Sequence, residues 1–244
     1  MLHLLFSRIT QTIFIALRAL RRNKLRSSLT ALGIIIGVAA VVSMVAVGNG
    51  AQASITNQVS ALGENLLTVF AGSKKNSGVS SGQGSASTLT VADAHAIARE
   101  VPDVIAISPE VSATAQAIAN GRNWSTNIVG QSPDFLTIRD WKLTAGSFFT
   151  EREIRAADKV AVLGSKTALE LFGPLDPIGK NVRINNIPFV IIGLLESKGA
   201  GIGGQNQDDR IIIPYTTAMK RITGDRYLRS VNIRVRDSEK MTTA

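Results

Sequence analysis

The stretch Ser27–Gly48, SSLTALGIIIGVAAVVSMVAVG, runs for 22 residues without a charge. As a helix rising roughly 1.5 Å per residue it is about 33 Å long, which matches a hydrocarbon core of about 30 Å. The run therefore predicts a membrane-crossing helix over 27–48. A cleaved signal peptide would find a small-residue site at Ala51-Gln52-Ala53, but its apolar core is usually only about 7–15 residues long. A buried core helix of a soluble protein fits poorly, because no polar face is available to meet water.

The residues before the span carry its orientation. Arg8, Arg18, Arg21, Arg22, Lys24 and Arg26 are the charges of residues 1–26, and the first carboxylate in the chain is Glu64. Basic residues crowding one end of a span hold that end in the cytoplasm, so residues 49–244 are expected outside it. Within 2–22, Leu2, Phe6, Ile9, Ile13, Ala16, Leu17 and Leu20 recur at spacings of three and four, opposite Arg8, Gln11, Arg18 and Arg22. That pattern predicts an amphipathic helix lying on the inner leaflet. Arg18, Arg21, Arg22, Lys24 and Arg26 are its anchor to lipid headgroups.

The same residues explain the composition. The chain of 244 residues has a formal net charge of +9, but the first 26 residues supply six of the positive charges, leaving 21 basic against 18 acidic residues. The charge is a topology signal, and nucleic acid is not an expected partner. With no cysteine there is neither a disulfide framework nor a thiolate metal site. His3 and His95 are far apart, and His95 falls on a predicted helix as a packed or surface side chain.

Inside the span, Thr30, Gly33, Gly37 and Ala40 form a stripe of small residues, with Gly33 and Gly37 in GxxxG spacing. Small side chains allow another helix's backbone to approach closely, so the stripe is the expected packing face for other transmembrane helices. The chain contains no second apolar run long enough to cross. Beyond Gly48, apolar residues at Ile55, Val59 and Leu62 predict a helical stalk that stops at Gly63.

The remainder reads as α+β. Residues 65–71 form an expected strand, and 72–87 a mobile Gly/Ser-rich loop. Thr90 with Asp93 opens a helix that Pro102 ends. A strand over 104–108 precedes a hairpin over 110–130, reversing at Asn120-Gly121. Ser132-Pro133-Asp134 caps a short helix from Phe135. A polar stretch to Asp158 leads to a strand at 159–163, a helix at 165–172, strands at 181–184, 187–195 and 210–214, a helix at 215–222, and an alternating strand at 230–236.

Several motifs imitate chemistry. Gly199, Gly201 and Gly204 match GxGxxG, but Ile211 starts a strand where a dinucleotide site needs a helix. Gly173–Asn181, GPLDPIGKN, has one residue too many for a phosphate loop and Asn181 in place of Ser or Thr. Gly164-Ser165-Lys166-Thr167 lacks the upstream glycine. The pairs Glu151/Glu153 and Asp208/Asp209 read as solvated loop charges. No catalytic, cofactor-binding or metal-binding residue is expected, and the chain is not expected to be an enzyme.

These residues resemble a family, the permease subunits of ABC transporters of the macrolide-exporter (MacB-like) type, related to the FtsX and lipoprotein-releasing permeases. The resemblance rests on ALRALRRNKLRSSLTALGIIIGVAAVVSMVAVGNG over 16–50, Asn65-Leu66-Leu67, PLDPIGK over 174–180, FVIIGL over 189–194, and Ile213-Pro214-Tyr215-Thr216. It implies a membrane-anchored α+β fold: an amphipathic elbow helix (1–26), a transmembrane helix (27–48), a stalk (49–63), the first part of a porter-like α+β subdomain (64–131), a β-rich inserted subdomain (132–222) and a return strand toward the porter (223–244). Family members continue through the rest of the porter and three more spans, so the resemblance implies a fragment or a truncated frame.

The resemblance further implies a bacterial inner-membrane permease working as a dimer with a second copy. ATP would be bound by a separate ABC ATP-binding subunit, with a membrane-fusion adaptor as a further partner. In that mechanism, ATP hydrolysis in the cytoplasm moves the stalks and, through them, an outer domain that expels substrate. A single-pass membrane-anchored sensor or assembly protein is the alternative, and a membrane-tethered hydrolase a third reading. Nothing in the residues selects a substrate.

Overall fold

The computed structural model describes residues 15, 22–60, 65–73, 75–76, 79–80, 88–199, 201 and 206–236. The chain divides into two compact units that meet between Thr56 and Asn57. Most of the expected elbow helix, including Arg8, Arg18 and Arg21, lies outside the described residues, as does the expected stop at Gly63.

The first helix, α1 (Lys24–Ser60), runs for 37 residues without a break. At roughly 1.5 Å per residue it is about 56 Å long, some 25 Å more than a hydrocarbon core. Span and stalk are thus one helix, continuing through Gly48 and Gly50. Its segment Lys24–Ala53 is long and apolar enough to cross a membrane, and none of its most apolar window is buried within the protein. Hydroxyls inside the helix bond to its own carbonyls: Thr30 Oγ1 donates to Arg26 O at 2.8 Å, and Thr56 Oγ1 to Gln52 O at 2.9 Å. Such back-bonding spares those two hydroxyls the cost of an unpaired polar group in lipid.

The outer unit begins with β1 (Leu66–Phe70). Within the stretch expected to be a loop, β2 (Lys75–Asn76) and β3 (Val79–Ser80) form a two-stranded ladder. Helix α2 (Val91–Glu100) starts at the expected capping box, in which Thr90 N donates to Asp93 Oδ2 at 2.8 Å.

Strand β4 (Val104–Ala119) differs from expectation. The strand at 104–108 and the first hairpin arm are a single 16-residue strand that continues through Pro109. Its first half pairs with β11 (Ser230–Val235) and its second half with β5 (Arg122–Gln131), the handover falling between Glu110 and Val111. The reversal at Asn120-Gly121 has φ of 51° and 72°, the double left-handed geometry of a tight hairpin turn.

The elements that follow are α3 (Phe135–Ile138), β6 (Leu143–Gly146), α4 (Glu151–Ala156), β7 (Val160–Leu163), α5 (Ser165–Phe172), β8 (Asn181–Ile184), β9 (Ile187–Leu195), β10 (Arg210–Pro214) and α6 (Tyr215–Thr217). A π-helical turn over Ala218–Thr223 then ends at Gly224, whose φ is 67°. Strand β6 and helix α4 fall in the stretch the sequence offered only as polar. Glu153 is not a solvated loop charge. It closes a second capping box, accepting from Thr150 N at 2.9 Å. Helix α3 forms where expected, but Ser132 is not its cap: its hydroxyl donates to Ile107 O at 3.0 Å.

Nine strands form one sheet in the order β1-β11-β4-β5-β10-β7-β9-β6, with β8 pairing both β4 and β9. The neighbours β4, β5, β10, β7, β9 and β8 therefore return to β4 and close a six-stranded barrel. Closure leaves these strands no open edge. Since β4 and β5 serve the barrel and β4 also pairs with β11, hydrogen bonding is continuous across 131/132.

Alternation along the strands sorts side chains between two cores. Ala161, Leu163, Ile211 and Ile213 join Phe189, Ile191, Val182 and Ile184 in one cluster, which extends to Val231 and Ile233. Their neighbours Val162 and Ile212 face the other way, into a cluster with Phe135, Trp141, Phe149 and Ile154. At Gly130 a Cβ would come within 2.6 Å of Ala218 Cβ and 2.9 Å of Tyr215 Cα, so the strand-to-helix contact requires glycine there.

Candidate functional site

The four residues of the expected packing stripe share one face of α1. Thr30, Gly33, Gly37 and Ala40 occupy an arc of about 80° at the 100° per residue implied by 3.6 residues per turn. A Cβ added at Gly33 or Gly37 would meet nothing within 4 Å, so the groove is open along its length. Around it Leu29, Ile34, Ile35, Ile36, Val38, Val41 and Met44 are all exposed. Of the expected anchor, Arg22, Lys24 and Arg26 are described and exposed at the start of α1.

The outer unit contains a polar joint that sequence reasoning missed. It forms where β5 ends and β4 changes partner. Ser108 Oγ donates to Gln131 Oε1 at 2.6 Å and accepts from Ser132 N at 2.9 Å, so side chains replace the ladder that β5 has left. Glu110 Oε2 accepts from Gln131 Nε2 and Asn232 Nδ2, both at 2.8 Å. Asn232 Oδ1 accepts from Thr68 Oγ1 at 3.1 Å and Arg139 Nη2 at 3.4 Å. Ser108, Gln131 and Asn232 are buried, and buried polar groups persist when every member is paired. Burial pushes the Arg139 guanidinium below its ordinary pKa, with the Glu110 carboxylate pulling the other way. A polar hollow of about 450 Å³, lined by Glu110, Ser112, Thr114, Asn127 and Arg229, borders the joint.

Asp208 and Asp209 also depart from expectation, because both are internal ties. Asp208 is buried and accepts from Ser197 Oγ at 2.5 Å, Lys198 N at 2.8 Å and Gly199 N at 3.0 Å. At the start of the glycine-rich loop, then, the protein's own carboxylate takes the Lys198 and Gly199 amides. Gly204 of that motif lies outside the described residues. Asp209 Oδ1 accepts from Trp124 Nε1 and Thr126 Oγ1, each at 2.8 Å, and Thr167 Oγ1 at 3.1 Å. Lys166 Nζ stands 3.9 Å from Asp209 Oδ2. The other imitation, Gly173–Asn181, runs from the end of α5 into β8. His95 is exposed on α2, and no group of three His, Cys, Asp or Glu suited to a metal occurs among the described residues.

The family model of the MacB-like periplasmic core domain matches residues 27–244. The chain belongs to that family. It is 45% identical over 215 residues to the macrolide export ATP-binding/permease protein MacB of Syntrophobacter fumaroxidans, covering 88% of this chain and 30% of the relative. The protein of the same name from an Azoarcus species is also 45% identical, over 222 residues, covering 91% and 33%. The chain thus spans about a third of the length of these relatives.

Among solved structures, the periplasmic region of MacB from Actinobacillus actinomycetemcomitans superposes with a TM-score of 0.63 at 22% identity, covering 76% of this chain and 81% of that one. The extracellular domain of the noncanonic ABC-type transporter YknZ, from Gram-positive bacteria, gives 0.59 at 16% identity, covering 73% and 88%. At such identities the likeness is one of fold. The chain thus joins an apolar helix to an α+β domain of the MacB-like periplasmic core family.

Proposed function

We propose that this chain is the membrane-spanning part of an ABC-type export or mechanotransmission complex. The observation that carries the reading is the length of α1, which exceeds a bilayer's hydrocarbon by about 25 Å and has no break. A helix of that kind is a stiff connection between a cytoplasmic motor and an outer domain. ATP hydrolysis by a partner ABC subunit draws two permease copies together along Thr30, Gly33, Gly37 and Ala40. The stalk carries the movement to residues 64–244, which press substrate outward with a membrane-fusion adaptor in place.

In this reading the N-terminus is cytoplasmic, held at the inner leaflet by Arg18, Arg21, Arg22, Lys24 and Arg26. Residues 64–131 and 223–244 are the porter-like part and 132–222 the inserted part, the second half of β4 and β5 also completing the barrel. The polar joint, through Ser132 on Ser108 and Arg139 on Asn232, keeps the two parts acting as one body. ATP stays on the partner chain, and this chain holds no cofactor and catalyses no reaction.

The test is to break the connection without removing it. Ala53→Pro in the stalk deletes a helical hydrogen bond and kinks the helix. In the reconstituted complex it is expected to leave ATP hydrolysis by the partner subunit largely intact while abolishing ATP-dependent movement between labelled outer domains. Movement that persists through the kinked stalk would contradict the proposal. A chain that copurifies with no ATP-binding subunit would support the membrane-anchored sensor instead.

A further inference from the structure

The outer domain has an apolar hollow built against an uncommon backbone geometry. About 410 Å³ in volume, it is lined by Val91, where α2 begins, and by Tyr215, Met219 and Lys220 on α6 and the π-helical turn that continues it. Such π-helical turns are rare and recur at functional sites. Val91 and Met219 pack on both core clusters, so the floor of the hollow is continuous with the core. Its size is that of a small-molecule pocket, which runs from about 300 to 1,000 Å³.

Tyr215 is the polar exception on this floor. It is only 9% exposed and belongs to the cluster of Phe135, Trp141 and Ile154. The hydroxyl of its neighbour Thr216 is spent on Ile154 O, at 2.5 Å. The Tyr215 hydroxyl makes no hydrogen bond to the protein, although a buried phenol ordinarily finds a partner. Nor is it sealed in: among the described residues, the enclosed side-chain polar atom without a partner is Gln207 Nε2. Burial holds the Tyr215 pKa above the ordinary phenol value, with the Glu151 carboxylate adding to the rise, so the group remains an O–H donor at neutral pH.

The charges of the hollow stand in water at its mouth. Lys220, Asp225 and Arg226 are exposed, and none of them has an ion-pair partner within 4.0 Å among the described residues. Asp225 Oδ1 accepts from Tyr227 N at 3.2 Å. One carboxylate thus sits with two cations, and no buried charge lines the hollow. An ionised ligand would lose its hydration there with no buried counter-charge in return, whereas an uncharged one would not. We propose that the hollow binds a small uncharged molecule, its apolar body resting on Val91, Met219 and the Tyr215 ring and its one acceptor oxygen taken by the Tyr215 hydroxyl. The inference is independent of the transport reading.

Met219 supplies the readout. The full chain in nanodiscs, with its methionine methyls carbon-13 labelled, is titrated with benzophenone and, separately, with diphenylmethane, which has the same two rings and no oxygen. The Met219 methyl signal is expected to shift saturably, while Met44, in the apolar helix, reports partition into lipid. Benzophenone should bind about fivefold more tightly than diphenylmethane, the scale of one neutral hydrogen bond. Tyr215→Phe should bring the two affinities together, and Val91→Trp, which fills the hollow, should abolish the shift. A Met219 signal that does not saturate, equal affinities in the wild-type chain, or tighter binding of the charged 4-benzoylbenzoate would overturn the proposal. So would a preference for the ketone that survives in a folded Tyr215→Phe chain. Should a variant fail to fold, the wild-type comparison of the three ligands still decides.

Discussion

Helix α1 and the outer barrel solve the problem of polar groups in opposite ways. In α1 the Ser28, Thr30 and Thr56 hydroxyls bond back to the helix's own carbonyls, and every large apolar side chain from Leu29 to Val47 points outward. In the outer domain the apolar groups are inside, and polar side chains such as Ser108, Asn232, Asp208 and Asp209 are carried in with them. One region takes lipid as its solvent, while the other meets water and must pair each polar group it buries. Substitutions should therefore separate the regions by what they disturb, and unfolding of the outer domain in the detergent-solubilised chain is the common measurement.

The largest effect is expected at Phe189, fully buried in the barrel core. Phe189→Ala should cost about 3–5 kcal/mol, read as a lowered denaturant midpoint. Next is Asp209→Ala, which leaves one indole and two hydroxyl donors without their acceptor and should cost about 3 kcal/mol. Asp209→Asn keeps an acceptor and should cost less. Gly130→Ala places a methyl against Ala218 and Tyr215 and should cost about 2 kcal/mol.

A smaller effect belongs to pH. Hydrogen bonds from Thr90 and Thr150 hold the Asp93 and Glu153 carboxyls below their ordinary pKa values. A carboxyl depressed in the folded state contributes stability above its unfolded pKa, and that contribution is lost as pH falls through the folded value. Both side chains are exposed, so the loss should be slight, and Thr90→Ala with Thr150→Ala should flatten this part of the acid limb. The smallest effect is expected at Gly37→Leu. It should leave outer-domain unfolding unchanged while reducing association between copies in the membrane, and a shifted midpoint would break the contrast between the regions.

The two regions were also unequally legible in the sequence. The span was open to reading because an unbroken apolar run needs no knowledge of what it packs against. Local chemistry was legible in the outer domain as well: Thr90 with Asp93 marked the start of α2, and Asn120-Gly121 marked the turn. Thr150 with Glu153 carried the same signal as Thr90 with Asp93, and α4 was recoverable from it. Pro109 disguised β4, since proline lacks the amide that an interior strand normally uses. Barrel closure was not legible, because β8 meets β4 across more than 60 residues of sequence. The same distance concealed Asp209, whose donors come from β5 and α5. A carboxylate in a polar loop and one tying two elements together have the same sequence.

The central claim is that α1 crosses the membrane once and carries the outer domain to the far side. The absence of cysteine allows single labels to be introduced cleanly at Asn23→Cys and Ser125→Cys. Cells with a permeabilised outer envelope and an intact inner membrane are then treated with a membrane-impermeant maleimide. The account predicts labelling at position 125 and protection at position 23 until the inner membrane is opened. Protection at 125, or equal labelling of both positions in intact cells, would contradict it.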